Sequence, residues 1–160
     1  MKVEVLLALL FNAIMAVVLL FALVRGGRPE RLGVLINLAG FALTTGLRVY
    51  STKVAWDPGH FPTLVVDLGV ACGFFWLGVT TIRFWPIWAA GFALGGLFMS
   101  LCGALLPGIP LFAYHTGLGI YAYLALGALA LGTMRLPRDA APYLKNGSRR
   151  SWLQHQRATN

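Results

Sequence analysis

Only five of the 160 residues are acidic, and charged side chains make up 11% of the chain, against roughly a quarter in soluble globular domains. That scarcity, with 58% hydrophobic residues and a mean hydropathy of +0.74, excludes an ordinary soluble domain and predicts a polytopic membrane protein. Cysteine is rare too. Cys72 and Cys102 lie in apolar segments without CxxC spacing, which excludes a disulfide framework and leaves them as small core residues. Paired carboxylates, histidine clusters, and a Ser or Cys with a nearby base are all missing. No catalytic, nucleotide or metal motif stands out, and no residue pattern specifies a cofactor.

What the chain does have is apolar runs of membrane-crossing length. At ~1.5 Å per residue, about 20 residues cross the hydrocarbon core. Five runs qualify, at about 5–24, 32–50, 63–82, 87–106 and 111–134. They predict an all-α bundle of five transmembrane helices over 1–134, followed by a basic tail over 135–160. The first run reads as a retained helix, not a signal peptide: Lys2 and Glu4 precede it, its apolar core is too long, and no small-x-small site precedes Arg25. Breakers separate the runs: Gly26, Gly27 and Pro29, then Asp57-Pro-Gly59, then Pro86, then Pro107-Gly-Ile-Pro110. Trp56, Trp85 and Trp88 flank the runs and are expected as anchors at the membrane interface.

The formal net charge is +8, and its distribution argues against nucleic acid as the partner. In the five-span parse, Arg25, Arg28, Arg31, Arg83, Arg135, Arg138, Lys145, Arg149, Arg150 and Arg157 share one side. Lys2, Arg48 and Lys53 share the other. Positive residues gather on the cytoplasmic side, so the amino terminus is expected outside and the tail in the cytoplasm, with membrane lipids as partners. The tail contains Pro137, Pro142 and Gly147 and is expected to be largely disordered. Ser148 to Ala158 can form one short surface helix, with Trp152 and Leu153 dipping into the interface beside anionic lipid.

Lipid provides no hydrophobic drive between helices, so their association depends on small residues that let backbones approach. Gly69-Val-Ala-Cys-Gly73 and Gly91-Phe-Ala-Leu-Gly95 fit that requirement. They serve contacts within one monomer or an interface with another chain.

A few polar residues fall where lipid would exclude them. Asp67 is the only acidic residue inside the proposed spans, and an ionised carboxylate there costs several kcal/mol unless paired, hydrated or protonated. Arg48 and His115 lie at comparable depth in their own spans. Asn37, Phe41, Thr44 and Arg48 follow one another at helical spacing and form a stripe expected to face the bundle interior. Tyr114 adjoins His115. One reading makes Arg48, Asp67 and His115, with Asn37, Thr44 and Tyr114, an outward-facing pocket for a small polar or anionic ligand or for protons. The other makes Arg48 and Asp67 a structural ion pair, with His115 bonded to a backbone carbonyl. His115 has no second histidine within the spans for bis-histidine haem ligation, although one histidine can hold a pigment-type tetrapyrrole.

The stretch Arg83-Phe-Trp-Pro-Ile-Trp-Ala-Ala-Gly-Phe92, together with the Asp67-bearing run before it, resembles uncharacterised small inner-membrane proteins of alphaproteobacteria, especially sphingomonads. The resemblance covers mainly the third and fourth spans. It implies a bacterial inner membrane and brings no activity or site residue with it. Small size, short loops, glycine-lined faces and the lack of a motif for independent chemistry give the expectation of a non-enzymatic accessory or assembly subunit of a larger inner-membrane complex. Rival readings are a small transporter or ligand-binding protein using the polar pocket, a pigment-binding protein, and a lipid- or isoprenoid-modifying enzyme with a deep cleft at Asp67 and His115.

Overall fold

A computed structural model describes residues 3–50, 61–105, 111–137 and 139–159, with side chains at all of these except 3–5, 48, 104, 111–118 and 159. Five long helices follow one another: α1 Val3–Arg25, α2 Arg28–Tyr50, α3 Phe61–Thr80, α4 Trp85–Leu105 and α5 Leu111–Met134. Two short ones complete the chain, α6 Pro142–Asn146 and α7 Arg149–Thr159. Among the described residues there is no β-strand.

Each long helix packs against its neighbours in sequence, and α1 closes the ring against α5. Glycines set the closest approaches. Gly40 of α2 meets Val70 of α3, Gly73 of α3 meets Ile36 of α2, and Gly95 of α4 receives the ring of Tyr121 from α5. Phe11 of α1 meets Tyr123 of α5 edge-on, with centroids 5.2 Å apart. Gly33 near the start of α2, Trp85 at the start of α4 and Gly132 near the end of α5 are in contact at one end of the bundle. Successive helices therefore run antiparallel, and α1 lies parallel to α5. The interior is filled by Leu19, Ala22, Val34, Phe74, Leu77, Ala89, Ala90, Leu126 and Leu129, mostly small or branched residues that permit close helix packing.

The outer surface has the opposite character to that of a soluble bundle. Leu6, Leu10, Val17 and Leu20 on α1, Val65, Leu68, Phe75 and Trp76 on α3, and Leu94, Phe98 and Leu105 on α4 are exposed. Apolar side chains in such numbers need an apolar surrounding medium. Leu6–Arg25, Phe61–Thr80 and Trp85–Gly103 are each long and apolar enough to cross a membrane, and Gly119–Met134 forms a shorter apolar stretch. These three helices suggest membrane association.

Two expectations need correcting. The second helix was expected over 32–50 but begins at Arg28, which moves Glu30 from a connector into the first turn of a helix. The tail, expected to be largely disordered, is folded. Its α6 packs on α2, the Ile82 N–H donates to the Gly147 carbonyl at 2.9 Å, and Thr81 pairs with Ser148 in one antiparallel bridge. Tyr143 stacks on His155 with centroids 4.1 Å apart. The segment Ser148 to Ala158, read as a short surface helix, lies almost entirely within α7.

The reversal from α6 to α7 depends on Gly147, whose φ of +62° places it in the left-handed region. Its N–H returns to the Tyr143 carbonyl at 3.2 Å, closing the helix end in the manner of an αL cap. A Cβ at this position would also press on the Pro29 ring. Gly147→Ala is therefore expected to cost about 1–2 kcal/mol from the left-handed backbone alone. The check is limited trypsin proteolysis: cleavage after Lys145 and Arg149 should quicken in the variant while the five long helices stay intact.

Candidate functional site

The polar centre of the described molecule is Glu30, which is 0% exposed. Its position follows from local sequence. Gly26 and Gly27 make a turn so tight that a Cβ on Gly26 would meet both the Ala22 carbonyl and the Glu30 side chain. Pro29, in the first turn of α2, favours a helix start there. The Glu30 carboxylate then reaches back, and its Oε2 accepts from the Gly27 N–H at 2.9 Å. This is the returning half of a capping box, the third helical residue satisfying the backbone of the cap.

The second carboxylate oxygen joins distant segments. Trp85 Nε1–H donates to Oε1 at 3.2 Å, and Arg83 Nε lies 3.4 Å from the same oxygen. That Nε–H has no hydrogen-bond partner among the described residues, so the guanidinium supplies charge across this gap and directs its hydrogen bond elsewhere. Arg83 Nη2–H donates to the Leu144 carbonyl in α6 at 3.0 Å. Arg28 Nη1–H reaches Asn146 Oδ1 at 3.5 Å. One buried carboxylate thus ties the α1–α2 turn to the α3–α4 turn, and Arg83 ties both to the tail.

Trp85 is the wedge of this clasp. Gly132 of α5 makes room for the Cγ and Cδ1 end of its indole, and Gly33 of α2 makes room for Cη2. The ring therefore bridges from α5 to α2, with Phe74 of α3 edge-on at 6.1 Å. This corrects its expected role as an interface anchor: Trp85 is 1% exposed, because its N–H has a buried acceptor and its ring has two glycine seats. Trp88, one helical turn on, is exposed on the outer face of α4. Trp56 lies outside the described residues.

The polar cluster expected at the other end is only partly described. Asp67 is half-buried on α3, while the side chains of Arg48, His115 and Tyr114 lie outside the described ones. Asn37 is half-buried, and its Nδ2–H donates to the Gly33 carbonyl of its own helix at 3.0 Å. Thr44 is half-buried, but Phe41 between them is exposed, so the stripe does not turn uniformly inward. Other hydroxyls are satisfied in the same local way. Thr81 Oγ1 donates to the Leu77 carbonyl at 2.7 Å and buried Thr133 Oγ1 to the Leu129 carbonyl at 2.9 Å. Such back-bonding removes the need for a ligand to satisfy them.

Hydropathy alone leaves Glu30 in a charged connector between two apolar runs and does not mark it as a site residue. A usable signal was present: Gly-Gly-Arg-Pro-Glu places a glutamate three residues after a glycine cap, with proline in the first helical turn. Its partners Trp85 and Arg83 are not foreseeable in that way, since Trp85 lies 55 positions away in the chain. Among the described residues no group of three or more His, Cys, Asp or Glu is placed to hold a metal ion.

The class these features define is an all-helical bundle with three helices able to cross a membrane, closed at its basic end by a buried Glu-Trp-Arg clasp. Comparison with protein-family models, with curated proteins and with solved structures yields no match.

Proposed function

We propose that this chain is a five-span protein of a bacterial inner membrane, non-enzymatic, acting as an accessory or assembly subunit of a larger membrane complex. The amino terminus lies outside and the tail in the cytoplasm. Packing supports the five-span reading: α2 lies beside α3 and α5 beside α4 at mid-length, through Gly40, Gly73 and Gly95. If α1, α3 and α4 cross a bilayer, the helices between them cross as well. Arg25, Arg28, Arg31, Arg83, Arg135, Lys145 and Arg149 then fall at the clasp end, which the positive-inside rule assigns to the cytoplasm.

The observation carrying the subunit reading is that each glycine pair is half used. Gly73 is filled by Ile36 and Gly95 by Tyr121, whereas Gly69 and Gly91 meet nothing within 4 Å among the described residues. An exposed glycine in a membrane helix gives up helix propensity and contributes no side chain of its own. Its gain is close backbone approach by another helix. In mild detergent the protein is expected to co-purify with a partner at fixed stoichiometry. Gly91→Leu should release that partner while leaving the melting temperature of the isolated chain unchanged or slightly raised. A wild-type chain that purifies from native membranes as a stable, partner-free monomer overturns the proposal.

A further inference from the structure

The basic end carries a cleft of about 400 Å³ between the α1–α2 turn and α6. Arg28, Arg31 and Lys145 line it with Leu32, Leu35 and Asn146, and the three cations are exposed. Among the described residues no carboxylate lines the cleft, and Glu30 beside the turn is fully buried and already engaged by Gly27, Trp85 and Arg83. The cleft therefore presents three positive charges with no opposing charge in its lining.

Its second property is direction. Arg28, Arg31, Leu35, Leu38 and Ala42 follow one another by three, four, three and four residues, a single stripe on α2. Along that stripe the character changes from two arginines to exposed Leu35 and Leu38 and then Ala42. A soluble phosphate would make use of the first part only. A molecule with an anionic head and an apolar chain uses all of it.

We propose that this cleft binds the phosphate of an anionic phospholipid, with one acyl chain lying along α2. The site holds the headgroup between the α1–α2 turn and α6, so an occupied site would also brace the tail against the bundle. The inference rests on the reading above that this end of the bundle lies at a bilayer surface.

Native mass spectrometry of the full chain in mild detergent tests it, with phosphatidylglycerol, phosphatidylcholine and inorganic phosphate as probes. Phosphatidylglycerol should bind in preference to phosphatidylcholine, and inorganic phosphate should not displace it. Each basic residue near a membrane surface contributes about five-fold in affinity for anionic lipid. Arg31, whose guanidinium makes no hydrogen bond among the described residues, gives the cleanest variant: R31Q should weaken phosphatidylglycerol binding about five-fold and R28Q/R31Q about 25-fold. R149Q/R150Q removes the same charge elsewhere and should leave binding unchanged. Equal binding of the two lipids, equal loss in both double variants, or displacement by inorganic phosphate would each overturn the site. Alkaline extraction of native membranes tests the bilayer reading separately. Release of the chain into the soluble fraction defeats that reading, whereas retention without lipid preference defeats the cleft alone.

Discussion

Glu30→Ala is expected to destabilise the protein by about 3–5 kcal/mol, the range found when one partner of a buried ion pair is removed. The cost arises mainly from what the carboxylate leaves behind. The Gly27 N–H and the Trp85 indole N–H lose their acceptor, and the Arg83 guanidinium, 17% exposed, keeps its charge without a counter-ion. An unsatisfied buried donor costs about 1–3 kcal/mol, and the three losses share one site, so they do not add in full. Glu30→Gln separates charge from hydrogen bonding. The amide retains an oxygen for one donor, so its cost should be clearly smaller than that of alanine. Unfolding in detergent followed by tryptophan fluorescence gives both values. Tryptic cleavage at Lys145 and Arg149 reports the tail, which should loosen in parallel, because Arg83 joins Glu30 to the Leu144 carbonyl. A Glu30→Ala protein as stable as the parent would mean that the clasp contributes nothing.

Trp85→Ala should be comparably severe, about 3–5 kcal/mol. The loss is mainly one of packing, since the buried indole gives up its close contacts with three helices. The indole occupies space bounded by Gly33, Gly132, Phe74 and Leu129. Neither glycine has a side chain with which to fill it. The cavity should therefore persist, and larger cavities cost more. Trp85→Phe retains much of the ring and loses the bond to Glu30, so its cost should fall between alanine and wild type. Combining Glu30→Ala with Trp85→Ala should cost less than the sum of the two, with a coupling of about 0.5–3 kcal/mol, as expected for residues in direct contact. Strict additivity in that cycle would show the 3.2 Å hydrogen bond to be energetically silent.

Helical content and its approximate placement were legible in the sequence because both depend on local quantities. Hydropathy averaged over about 20 residues and the breakers between runs act within a turn or two of the chain. The five long helices accordingly lie close to the expected segments, and the largest shift is at α2, where Gly27 and Pro29 start the helix at Arg28 and not at Leu32. The tail shows where local reasoning failed. Its low apolar content reads as disorder because it has little of its own to bury. It folds on partners supplied from elsewhere: Arg83 to Leu144, 61 positions apart, and Arg28 to Asn146, 118 positions apart. Tryptophan shows the same division. Trp85 and Trp88 have the same side chain and both lie beside the same boundary, yet one is buried and the other exposed. Only the glycines of α2 and α5 and a carboxylate in the first turn of α2 distinguish them.

The sequence by itself determined that the chain is helical, largely apolar, and basic at alternate connectors, since composition and charge spacing need no knowledge of contacts. The tertiary structure alone decided that Glu30 is the buried hinge of the basic end, that Trp85 faces inward, that Gly73 and Gly95 are filled while Gly69 and Gly91 are not, and that the tail closes over the turn. Each of these depends on which distant residue completes a hydrogen bond or occupies a gap. A hydrogen bond has meaning only across about 3 Å of space, and distance along a chain does not set distance in a bundle.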